Sequence, residues 1–132
     1  MSFRQQDLTS AMENVIANIR DLLKAEKFTK EKTLGGWKYF GDELENEIKL
    51  LKTTICSDHK VLTCEVYHMF NSANVHSRGK LLLLIPVNGT PKLNSNPGEP
   101  LLSEKCYYTE GDQSLFGERC DIIVATLEKD TS

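Results

Sequence analysis

Apolar residues recur at Leu8, Met12, Val15, Ile16, Ile19, Leu22 and Leu23, the three- and four-residue steps that lay one stripe along a helix. Arg4, Glu13, Arg20, Asp21 and Lys24 fall mostly on the other side, so the pattern predicts an amphipathic helix over residues 8–27. Two capping-box spacings, Ser2 with Gln5 and Ser10 with Glu13, compete for its start, and Leu8 already belonging to the stripe favours the earlier one. A polar connector follows from Phe28 to Gly36. Trp37, Phe40, Leu44, Ile48, Leu51 and Ile55 then repeat at helical spacing, with acids crowding the first turns and lysines the last, which suits the helix dipole. This predicts a second helix over 38–55.

Beyond Ser57-Asp58 the period shortens to two. A strand is expected from Lys60 to Phe70, with Leu62, Cys64, Val66 and Phe70 on one face and Val61, Thr63, Glu65, Tyr67 and Met69 on the other. Asn71 to Asn74 reads as a turn, Lys80 to Val87 as a second strand, and Asn88 to Pro100 as a long Pro- and Gly-containing loop. Two more strands fit Lys105–Thr109 and Cys120–Leu127, and no internal repeat is present. The expected fold is α+β: two N-terminal helices packed on one face of a four-stranded antiparallel sheet, the sheet spanning 60–127 with its long loop at 88–100.

Composition narrows the class. The 132 residues are 39% hydrophobic and 27% charged, with a formal net charge of −3, which suits one ordinary core over residues 1–132. A pI near 5.6 without a lysine or arginine run argues against a nucleic-acid binder. The longest apolar run, Leu81 to Ile85, is far too short for a membrane span. The first residues lack the apolar stretch of a signal peptide, so the expected compartment is the cytoplasm.

Candidate chemistry is sparse. Cys56, Cys64, Cys106 and Cys120 show no CxxC spacing, and three of them sit in apolar strand contexts where cysteine acts as a small hydrophobe. His59, His68 and His76 match no ligand spacing, and a Cys64–His76 nucleophile pair lacks a third orienting group. Glu43, Glu45 and Glu47 alternate and so do not share a helix face. No catalytic residue, cofactor or metal site is therefore expected.

One feature demands a cover. A sheet under two helices has one free face, which should alternate apolar with polar. Instead Leu81 to Ile85 and Ile122 to Leu127 are apolar on both faces. Either the loop at 88–100 folds over that face, or a partner subunit does.

The order of two helices and four strands, with Trp37 opening the second helix and Lys60-x-x-Thr63-Cys64 starting the sheet, resembles the Tctex-type dynein light chains. Val75-His76 stands where that family begins its next strand, and Ile122-Ile123-Val124 is similar to its last one. The resemblance is most specific from Trp37 to His76. It departs at the loop 88–100 and at Leu84-Ile85-Pro86, which replaces the family's Phe-Trp-Asp ending. What it implies is a non-catalytic adaptor for a microtubule motor, a homo- or heterodimer that binds an extended peptide of a motor intermediate chain or cargo protein by strand addition. Val61, Thr63, Glu65 and Tyr67, with Leu81 and Leu83, are the expected partner-binding positions. Two other readings stay open. One is a small-ligand-binding or enzymatic domain with a pocket between helices and sheet, lined by Tyr67, Tyr107, Tyr108 and Trp37. The other is an obligate scaffold subunit of a larger complex.

Overall fold

A computed structural model describes residues 3–55, 60–93 and 99–128. The chain runs β1 (Phe3–Asp7), α1 (Ser10–Lys24), β2 (Thr29–Thr33), β3 (Gly36–Phe40), α2 (Asp42–Thr54), β4 (Val61–Met69) and β5 (Ser72–Val75). It continues with β6 (Leu81–Asn88), β7 (Lys92–Leu93), β8 (Glu99–Pro100), β9 (Lys105–Glu110), β10 (Gln113–Phe116) and β11 (Cys120–Leu127).

Both helices form where the stripes place them, but they are shorter than expected, and each is preceded by a strand. Thr9 caps α1, its hydroxyl accepting from the Met12 amide at 3.2 Å, while the residues before it pair with β9. The segment 28–40 is a β-hairpin rather than a connector running into a helix. Trp37 and Phe40 belong to β3, and Gly41, at φ 143°, turns the chain into α2.

The expected four-stranded sheet is corrected to two sheets. Among the described residues seven strands pair in the order β1-β9-β6-β11-β4-β3-β2 and four in the order β5-β10-β7-β8, every pairing antiparallel. The expected turn at 71–74 contributes β5, and the ends of the expected loop contribute β7 and β8. These strands are two to four residues long, too short to carry a readable alternation.

The second sheet resolves the question of cover. The helices bury Met12, Ile16, Ile19, Leu44, Ile48 and Leu51 against Val66, Leu83, Ile85, Ile123 and Ala125 on one face of the large sheet. On the other face Met69, Leu82, Leu84, Tyr107, Ile122 and Val124 pack with Leu93, Leu101 and Leu115. The doubly apolar strands β6 and β11 are the middle of a three-layer arrangement, and the chain covers both of their faces itself. No partner subunit is required to bury them. Among the described residues, no helix is long and apolar enough to cross a membrane.

Candidate functional site

Strand β6 contains a proline in the middle of a sheet, which is tolerated where the ladder is interrupted. Opposite β11 the register steps from Ile122–Pro86 to Asp121–Asn88, so Val87 is an extra residue in a bulge. Two consequences shape the local chemistry. The Val87 carbonyl is released from the ladder and accepts a hydrogen bond from Arg20 Nε at 3.0 Å. Asn88 comes level with Asp121 and donates from Nδ2 to its Oδ2 at 2.9 Å.

Asp121 is a buried acid in an otherwise apolar strand, and its carboxylate is fully engaged. Tyr39 donates its hydroxyl to Oδ1 at 2.6 Å, and His68 Nδ1 lies 2.8 Å from the same oxygen. Burial, then the hydrogen bond to Asp121, hold the Tyr39 phenol protonated well above its usual range. His68 stacks on Trp37 at 4.1 Å between ring centroids, with Phe70 edge-on to both. The Lys30 ammonium sits 4.2 Å from the centroid of the Trp37 ring. The Trp37 indole N–H is buried without a hydrogen-bond partner among the described residues. The carboxylate orients the imidazole as in the acid–base half of a hydrolytic triad, but none of the hydrogen bonds described at His68 comes from a serine or cysteine nucleophile.

Asn88 faces a cleft of about 990 Å³ at the end of the large sheet. Its walls are Glu13, Ile16 and Arg20 of α1, Asp7 at the end of β1 with Leu8 after it, Val87 and Asn88 at the end of β6 with Gly89 and Thr90 beyond, and Ser103 and Glu104 leading into Lys105 of β9. Lys105 forms an ion pair with Asp7 at the edge of the cleft. Arg20 has no described partner other than the Val87 carbonyl.

The residues expected to bind a partner do not form one surface. Leu81 and Leu83 lie in the core beneath the helices, and Val61 packs against that same core. Thr63, Glu65 and Tyr67 share the opposite face. There Thr63 Oγ1 contacts Thr126 Oγ1 at 2.6 Å, Glu65 pairs with Lys38 at 2.9 Å, and Tyr67 borders the layer between the sheets. The aromatic residues expected around a pocket are also dispersed. Tyr107 is fully buried between the sheets and accepts from the Leu102 amide, Tyr108 lies beneath Arg4, and Trp37 stands at the far side of the large sheet. Cys64 is sequestered, its thiol pushed up to about 12 chiefly by burial, and His76 instead faces Asp112 at 3.3 Å. Cys56 and His59 lie outside the described residues. Among the described residues no cluster of three or more His, Cys, Asp or Glu side chains could hold a metal ion.

Reasoning from sequence missed Tyr39, His68, Asn88 and Asp121 as a group. The available signals were Pro86 inside an apolar run and the single acid beside Cys120, both marks of an interrupted, internally satisfied strand.

No protein-family model matches the sequence, and no curated protein matches it. Among solved structures the chain is similar to a Pseudomonas putida prolyl-4-hydroxylase, with TM-score 0.49 and 10% identity over 97% of this chain and 93% of that one. The reading of a non-catalytic dynein-type adaptor is corrected. It required a four-stranded sheet with an apolar face awaiting a partner, whereas the chain covers that face with its own second sheet. The accompanying expectation that the protein is not an enzyme belonged to that reading and is withdrawn with it.

Proposed function

We propose that this protein is a small-ligand-binding domain whose ligand occupies the cleft between α1 and the end of the large sheet. The observation that carries the reading is the cleft itself. Its volume, about 990 Å³, is at the upper end of the range typical for small-molecule sites. Helix, bulge and loop all contribute polar groups to it. Its rim at Asn88 is braced from behind by the Asp121 carboxylate, which Tyr39 and His68 fix in place, so that wall is formed before any ligand arrives. The test is a panel of small polar metabolites added to isotope-labelled protein. A binding member shifts the amide resonances of Asn88, Gly89, Thr90 and Ser103 and raises the melting temperature. If no member of the panel shifts them, the reading fails.

A further inference from the structure

Building on that ligand-binding reading, we infer that the cleft takes a short peptide with free termini. Its charged groups are arranged by α1. Glu13 and Arg20 are seven residues apart, two helical turns, and so lie on one side of the helix about 10.5 Å apart along its axis. An extended peptide of about three residues spans roughly the same distance.

Charge complementarity sets the orientation. The Arg20 guanidinium is permanently charged, and its Nε is occupied by the Val87 carbonyl. Its terminal nitrogens present the fork geometry that pairs with a carboxylate, here the peptide C-terminus. Lys105 is already paired with Asp7, which leaves Arg20 as the cation of the cleft with no ion-pair partner among the described residues. Glu13, and Glu104 across the cleft, have no described ion-pair partner and supply the counter-charge for an N-terminal ammonium. Leu8, Ile16 and Val87 behind them are buried in the core, so recognition falls on the charged termini. A simple anion would leave both glutamates facing it uncompensated, and a simple cation would leave Arg20 so.

The experiment is calorimetric titration of the intact protein with Ala-Leu-Ala, its N-acetylated form, its C-terminal amide, and free alanine. The free tripeptide is expected to bind, with acetylation and amidation each weakening it about tenfold or more. Arg20→Gln should abolish the difference between acid and amide, and Glu13→Gln, an exposed substitution, should reduce the penalty for acetylation. Blocked peptides binding as well as the free one would overturn the inference. So would failure of tripeptides where another metabolite does shift the cleft amides, an outcome that leaves the ligand-binding reading standing. If neither peptides nor metabolites bind, both readings fall.

Discussion

Tyr39 and Asp121 are 82 positions apart in the chain, yet the Tyr39 phenol donates to Asp121 Oδ1 at 2.6 Å. The contact ties β3 to β11 across β4, and the carboxylate it fixes also holds His68 and Asn88. Tyr39→Phe removes a buried hydrogen bond to a charged acceptor and should cost about 1.5–3 kcal/mol in urea unfolding. An unchanged midpoint would show that His68 and Asn88 alone satisfy the carboxylate.

Alkaline pH should destabilise the fold in a defined window. Burial pushes Cys64 from 9.0 to about 12, Cys106 from 9.0 to about 11, and Tyr67 from 10.0 to about 12, the last with help from Glu65. Each group keeps its proton longer when folded than when unfolded. Their stabilising contribution is therefore complete below about pH 9 and is lost progressively from there to about pH 12. Urea midpoints measured under reducing conditions should hold steady up to that onset and fall above it. A flat profile to pH 11 would contradict the burial of the thiols.

The layer between the two sheets should be as sensitive as a conventional core. Leu84 is fully buried there, so Leu84→Ala should cost about 2–5 kcal/mol. Leu34, 97% exposed at the tip of the β2–β3 hairpin, is the matching control, and Leu34→Ala should stay within about 0.5 kcal/mol. Comparable losses at the two sites would mean that the second sheet does not pack on the first.

Two glycines separate steric from conformational cost. A Cβ on Gly36 would lie 1.8 Å from the His68 carbonyl oxygen, inside the β3–β4 pairing, so Gly36→Ala must push those strands apart. Gly79 has open space around it but a φ of +78°, and Gly79→Ala should cost only about 1–2 kcal/mol of backbone strain. Thermal unfolding of the pair should rank Gly36→Ala as the more damaging. The reverse order would exclude the close approach at Gly36.

The acidic loop contact tests a local tie. Asp112 accepts from the Ser77 amide at 2.8 Å, and this bond, followed by His76, lowers its carboxyl below the ordinary 3.8. The tie is present above that value and is lost as pH falls through the lowered one. Asp112→Ala should speed hydrogen exchange at the Ser77 amide without altering exchange in β11. Equal exchange in both proteins would rule the tie out.

How far the fold could be read from sequence follows from how each element is buried. The apolar stripe of α1 and the run Cys120–Leu127 were legible because each buries a regular set of positions. Strand β2, Thr29–Thr33, is exposed along nearly all its length at a sheet edge, so it carries no apolar alternation and reads as a connector. Strand β3 places Trp37, Tyr39 and Phe40 in one short run, and aromatics there imitate the start of a helical stripe. The candidate site was less legible still. Arg20, Asn88 and Lys105 come from separate elements, and only the bulge at Val87 brings Arg20 and Asn88 to one rim.

By itself the sequence determined two amphipathic helices, the four principal strands after them, and an excess of apolar surface on β6 and β11. These follow from local periodicity, which any chain displays before it folds. Tertiary structure alone decided what covers that surface. Long-range pairing turned an expected turn and loop into a second sheet, replacing an expected partner. It also set the register that buries Asp121 beside Tyr39, His68 and Asn88. Register is a relation between distant strands, and no local pattern contains it.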